Sequence, residues 1–399
     1  MEIYIVDWIS LIVRWLHVIT GIAWIGASFY FMWLDNSLEE PPQWKKDKGI
    51  KGDLWAVHGG GIYEVAKYQG APEKMPEHLH WFKWEAYSTW LTGMVLLAVI
   101  YYLGAESYLI DRRVADLNQL QAIGLGLGFL LGSWIAYTVL CISPLAKNGW
   151  LLAAVLLTLG GALAWGLSQF FSGRGAYIHF GAIIGTIMVG NVFQVIMPGQ
   201  RKLVGALESG ETPNPDWGAR AKLRSTHNTY LTLPLLFIMI SNHYPMTYGH
   251  AFNWAVLLAI VVITAVSRQY FVLRHVHIHR PAILGAAIAA TVILAVWIAP
   301  KPAVTTGSAL AADKLAMRAQ SIIGERCSSC HAAMPTDEVF TTPPGGVMLD
   351  SVEQMQQWAP RIKARSIDSH DMPFMNKTNM TDEERAIVAQ WISAGSPAT

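Results

Sequence analysis

The sequence predicts an all-α fold: a polytopic membrane helix bundle of about eight spans, followed by a separate polar helical domain. Three observations point there. Of 399 residues, 53% are hydrophobic and only 14% charged, whereas soluble domains carry about a quarter charged residues. Apolar runs near the ~20 residues needed to cross a bilayer recur up to residue 299. Beyond residue 300 the composition turns polar, and short helical patterns replace the apolar runs.

In chain order the expected spans are 8–34, 84–103, 121–145, 150–171, 177–197, 229–242, 252–273 and 281–298. The sixth is short and contains Pro234. Glu2 and Asp7 are acidic and no small-residue cleavage site follows, so the first run reads as a retained span rather than a cleaved signal. Loops on the N-terminal side hold only Arg112, Arg113 and Arg174, while most loop Lys and Arg fall on the other side. Basic loops stay cytoplasmic, so both termini are expected in the periplasm of a bacterial inner membrane. A formal net charge of +1 argues neither for nor against an anionic partner. The lipid bilayer is an expected partner, and nucleic acid is not.

The expected domains are 1–299, membrane-embedded and catalytic; 300–312, a Pro/Thr/Ser/Ala linker; and 313–399, periplasmic. The last should hold helices over 313–326, 353–365 and 382–394, the third opened by a capping box between Thr381 and Glu384. There are 3 cysteines. Cys141 lies in an apolar run and reads as a buried hydrophobe. The other two stand in Cys327-Ser328-Ser329-Cys330-His331, the spacing of covalent haem c attachment. The two thiols bind the porphyrin and His331 is an axial ligand to the iron.

The segment Asp371-Met372-Pro373-Phe374-Met375-Asn376-Lys377-Thr378-Asn379-Met380-Thr381 resembles the ligand loop of class I cytochromes c. The resemblance implies Met372 as the sixth ligand, with Met375 and His370 as alternatives and Met380 as a core residue. It also implies a close crossing of the first and last helices at Gly324 and Trp391. Met/His ligation raises the reduction potential. With both axial positions filled, the domain carries electrons and the chemistry belongs elsewhere.

Ionisable residues inside spans are costly and mark function by default. His17 is either hydrogen-bonded between helices or the iron ligand of a haem b. Its segment, Trp15 to Gly26, resembles the first helix of membrane protoporphyrinogen oxidases and related copper-resistance membrane proteins. A second polar set gathers at the expected cytoplasmic side. It comprises His58-Gly59-Gly60-Gly61, then Glu77, His78, His80, Lys83 and Glu85, then Asn191 and Gln194, then Arg224 to Thr229. The glycines would let backbone approach a ligand.

Nearly the whole chain resembles the membrane-bound urate hydroxylases, cytochrome-c-tailed bacterial urate oxidases. The resemblance rests on 15–33, 53–61, 80–93 and 225–234. It implies oxidation of urate with water to 5-hydroxyisourate. Electrons would leave through the haem c to a downstream cytochrome c or terminal oxidase. On that reading Lys83, Asn191, Gln194, Arg224 and Asn228 bind the urate anion, and His58, His80 or His227 takes the proton. The rival reading is a non-enzymatic membrane cytochrome subunit that relays electrons from quinol or a partner.

Overall fold

The computed structural model describes residues 2–299, 312–368 and 370–398; the expected linker, 300–312, lies outside them but for its last residue. The chain is mostly helical. Helix α1 runs Glu2–Ser37 and α2 Trp84–Leu96, the latter continued by a π-helical segment, Leu97–Tyr102. Then come α3 (Gln119–Ile142), α4 (Gly149–Phe170) and α5 (Gly173–Asn191). A second π segment, Val192–Ile196, joins α5 to α6 (Met197–Glu208). Helices α7 (Pro215–Ser241), α8 (Asn253–His275) and α9 (Pro281–Trp297) complete this part.

Among the described residues, five helical stretches are long and apolar enough to cross a membrane: Trp8–Ser37, Gln119–Ile142, Gly149–Phe170, Gly173–Glu208 and Asn253–His275. The other three expected spans fall short of that measure for visible reasons. Residues 84–102 open on a polar stretch, Glu85 to Thr89, that lowers their mean hydropathy. Helix α9 is apolar but has 17 residues. Helix α7 starts fourteen residues before the expected span (229 − 215), on an Asn214 cap with proline at the first helical position. Its first half is polar, which hid it from an apolar-run reading.

Local chemistry sets the helix starts. The Asn118 side chain accepts from the Gln121 amide while Gln121 reaches back, and Asn148 and Ser172 cap α4 and α5. Helix α5 is the centre of the bundle and packs on α2, α3, α4 and α7. Small residues permit the approach. A Cβ at Gly190 would sit 2.4 Å from the Trp134 indole nitrogen, and one at Gly173 2.0 Å from the Tyr248 carbonyl oxygen. Neither position tolerates a side chain.

The all-helical expectation needs one correction. Strands β1 (Ile50–His58) and β2 (Gly61–Tyr68) form an antiparallel hairpin, with His58 opposite Gly61. Gly59 and Gly60 have φ of 57° and 80°, the positive pair that a two-residue primed turn requires. The glycines therefore serve chain reversal, and nothing approaches within 4 Å of where their Cβ atoms would be. Buried Lys45 pins the hairpin by pairing with Asp53 on β1 and Glu64 on β2.

The C-terminal part is built on α10 (Ala312–Cys327), α11 (Val352–Ile362) and α12 (Asp382–Ser393). The Thr381–Glu384 capping box is present. Ile322, Ile323, Val388 and Trp391 are fully buried in one cluster. Gly324 does not make the crossing: a Cβ there would meet open space. This domain docks on the bundle through Phe374, whose ring lies 5.4 Å from that of Tyr108. The Arg174 guanidinium stacks on both rings, at 4.9 Å and 5.9 Å.

Candidate functional site

Polar groups concentrate in two places. The first is a buried network where α3, α5 and α7 meet, at the bundle end away from the C-terminal domain. Asn191 is the last residue of α5, immediately before a π segment, a distortion common at functional sites. Its amide nitrogen donates to the Tyr137 hydroxyl at 2.9 Å and to Asn228 Oδ1 at 2.8 Å. Asn228 Nδ2 donates to the Met188 carbonyl at 3.0 Å. Tyr137 Oη and His227 Nδ1 are 2.8 Å apart. The Tyr137 oxygen accepts from both Asn191 and Arg224. With both acceptor positions filled, its proton goes to His227 Nδ1, which leaves His227 protonated at Nε2.

Arg224, Asn228 and His227 share one face of α7 by their spacing of three and four residues. Arg224 is 3% exposed. Its guanidinium lies 4.8 Å from the Tyr137 ring centroid and donates a long 3.4 Å hydrogen bond to Asn191 Oδ1. Among the described residues it has no carboxylate partner. A buried cation without a counter-ion is expensive, so this site has a charge left to satisfy.

The second place is a cleft of about 360 Å³ between the C-terminal domain and the bundle. Cys327, Cys330, His331, Phe340, Met372 and Phe374 line it from one side, and Arg14, Tyr108 and Arg174 from the other. His331 Nδ1 donates to the Val347 carbonyl at 3.0 Å, so its Nε2 keeps a free lone pair. Burial pushes the Cys327 thiol up to about 12. Arg326 at the rim hydrogen-bonds Glu384 and holds its carboxyl below the usual range. Met375 does not line the cleft, and His370 is exposed.

The remaining expected residues scatter. His58 is exposed at the hairpin tip. His80 is exposed and sits against Phe82 at 4.5 Å and near Glu85 at 3.9 Å. Lys83 precedes α2 half-buried, and Gln194 is exposed in its π segment. None of the four joins the buried network. A more open cleft of about 400 Å³, lined by Glu77, His78, Trp81 and Arg201, holds two of the weaker candidates and none of the network.

His17 joins α1 to α2: its Nδ1 donates to the Thr89 carbonyl and meets the Thr92 hydroxyl, both at 3.0 Å. Buried His179 uses Nδ1 on the Gly175 carbonyl, and its Nε2 has no partner. The nearby Tyr102 hydroxyl has none either. Sequence reading also passed over Tyr137 and Arg268. Arg268 is buried on α8, 4.2 Å from the Phe29 ring centroid, with its Nε unpaired. Its charge inside an expected span was the signal; Tyr137 offered none.

Residues 3–299 match the family described as urate oxidase, N-terminal. The chain belongs to that family. The match covers the whole bundle, hairpin and buried network, and stops before the C-terminal domain. It ties the chain to urate oxidation and to the oxidoreductases. No curated protein and no solved structure matches the chain. Among the described residues, no group of three or more His, Cys, Asp or Glu side chains could hold a bare metal ion.

Proposed function

We propose that the bundle is a membrane urate hydroxylase. The urate monoanion and water become neutral 5-hydroxyisourate, one proton and two electrons, and the electrons leave through a haem c held by the C-terminal domain. The observation that carries the substrate assignment is Arg224, a buried guanidinium without a carboxylate. Urate is a planar monoanion near neutral pH, so it supplies the missing charge. With both amide hydrogens of Asn191 engaged by Tyr137 and Asn228, Asn191 Oδ1 and the second amide hydrogen of Asn228 are left for the ureide edges, and the Tyr137 ring offers an apolar face. The Tyr137–His227 hydrogen bond gives the proton of the attacking water a route away from the site.

The C-terminal cleft fits a thioether-bound porphyrin. Two cysteines and a histidine with a free Nε2 share its wall. The carbonyl bond at His331 Nδ1 is the outer-shell partner that orients ligating imidazoles. Met372, which lines the same cleft, would hold the group together with His331. The group supplies reversible one-electron chemistry. The rest of the domain holds it and shields it from water.

Seventeen residues of α5 separate Arg174 beside the cleft from Asn191 in the network (191 − 174), about 25 Å at the helical rise. His17 has Nδ1 engaged with the Thr89 carbonyl, which leaves its Nε2 free as a haem b ligand would need, whereas buried His179 has its Nε2 packed against Gly126 with no room for a porphyrin. Arg14, one turn from His17, lines the cleft, so His17 belongs to the cleft end. His179 lies farther into the bundle.

Turnover in water enriched with oxygen-18 tests the reaction class. The heavy atom should appear in the new hydroxyl of the product. Incorporation from labelled dioxygen, with release of hydrogen peroxide, would defeat it.

A further inference from the structure

The cleft under the C-terminal domain carries an unusual charge. Its lining includes four basic residues, Arg14, Arg174, Arg326 and Lys377, and no acidic one. Two of these cations are already satisfied. Arg326 pairs with Glu384 at 2.9 Å and Lys377 with Asp337 at 2.7 Å, both within the C-terminal domain. The other two come from the bundle. Arg174 spends its Nε on the Tyr101 hydroxyl and Asn242 Oδ1. Arg14 sits on the apolar helix α1. Among the described residues neither forms an ion pair.

An arginine on an apolar helix is costly unless it meets an anion. Two uncompensated cations on one wall therefore call for two negative charges from the cleft's occupant. Resting on the reading above, that occupant is a covalent haem. It is an apolar disc with two carboxylates.

We propose that Arg14 and Arg174 of the membrane bundle bind the haem propionates, so that the prosthetic group itself clamps the C-terminal domain onto the membrane domain. Guanidinium is suited to the role because its planar fork matches a carboxylate with two parallel hydrogen bonds. The Arg174 side chain is preset for it. It is stacked between Tyr108 and Phe374, one ring from each domain, with its remaining nitrogens free of any carboxylate. The clamp would fix the haem at the bundle surface close to His17, holding the transfer distance constant through turnover.

The test is hydrogen exchange at the amides of residues 370–378, read by mass spectrometry on the full chain in detergent. Wild type, Arg14→Gln, Arg14→Gln/Arg174→Gln and Cys327→Ser/Cys330→Ser are compared. Arg14 is exposed and makes no hydrogen bond that the fold needs, so its variant isolates the clamp from folding. Losing one charge-assisted bond should cut protection there about tenfold. Arg14→Lys, which keeps the charge but loses the fork, should restore only part of it. The haem reduction potential should fall in Arg14→Gln, because a cation beside the propionates favours the reduced iron. The haem-free variant should lose the same protection as the double variant. Unchanged protection and potential in the arginine variants, with haem still attached, would overturn the clamp and leave the haem assignment standing. A wild-type chain without thioether-bound porphyrin would instead overturn the haem assignment itself. Full protection in the haem-free variant would show that the domains dock without the propionates, against the proposal.

Discussion

Replacing Arg224 by methionine separates a substrate-binding arginine from a structural one. What the guanidinium gives the fold can be summed from its contacts. Its stack on Tyr137 at 4.8 Å is worth about 0.5–2 kcal/mol. Its hydrogen bonds, to Asn191 at 3.4 Å and to the Tyr137 hydroxyl, add at most about 1 kcal/mol each. Against these stands the desolvation of a buried ion, several kcal/mol after relaxation. The sum is near zero or negative, so Arg224→Met should leave the thermal midpoint unchanged or raise it. Binding should respond in the opposite way. Removing one partner of a buried charge pair costs about 2–5 kcal/mol, which weakens urate affinity by about 30-fold to several thousand-fold. Equilibrium binding of radiolabelled urate and a thermal melt, on one detergent preparation, read both quantities. A melt several degrees lower with urate affinity within about threefold of wild type would refute the reasoning; Arg224 would then be a structural residue.

Tyr137→Phe removes the hydroxyl between Asn191 and His227, leaving one amide hydrogen of Asn191 without its partner and His227 Nδ1 with only the distant Cys141 thiol. It should cost about 1–3 kcal/mol of stability and slow urate turnover more than it weakens urate binding; equal loss of both would remove the proton route. Met372→Ala should lower the haem potential, because thioether ligation raises it, whereas Met375→Ala should not; a redox titration of both variants decides the ligand. The Glu384 carboxyl is held below its ordinary 4.5 by Arg326. Its contribution to stability is therefore full above that value and lost as pH falls through the lower, folded-state value. Glu384→Gln should flatten the acid limb of C-terminal-domain unfolding followed by circular dichroism, and an unchanged limb would place acid sensitivity elsewhere.

The helices of the bundle were legible because apolar runs have few alternatives. Where polar sequence forms regular structure the reading failed. Helix α7 begins on Asn214-Pro215, a start signal that composition alone passes over, and its polar half carries Arg224, His227 and Asn228. Their helical spacing alone places them on one face, so this part of the buried network is legible in the sequence. That Asn191 from α5 would meet them depends on packing, and no local pattern encodes it. Tyr137 was lost among the apolar residues of α3. Gly59-Gly60-Gly61 reads equally as room for a ligand and as a turn, and only the positive φ of Gly59 and Gly60 identifies the hairpin. The alternation of β1 and β2, with Trp55 and Val57 exposed, gives no core-facing stripe to signal strands. His58 and His80 were grouped with His227 by residue type and by expected membrane side, and geometry separates them. In the C-terminal domain, short motifs with fixed spacing made Cys327, Cys330 and His331 readable, and the structure sets them on one cleft with Met372.

The most direct measurement is to add urate to the purified, oxidised chain under strict exclusion of oxygen and follow the haem α band, with Arg224→Met as the control. The reduced band should grow to two haem equivalents per urate consumed in the wild-type chain, and far more slowly in the variant. A wild-type haem that stays ferric, although a pyridine haemochrome shows it is attached by thioethers, would contradict electron release from urate within the bundle.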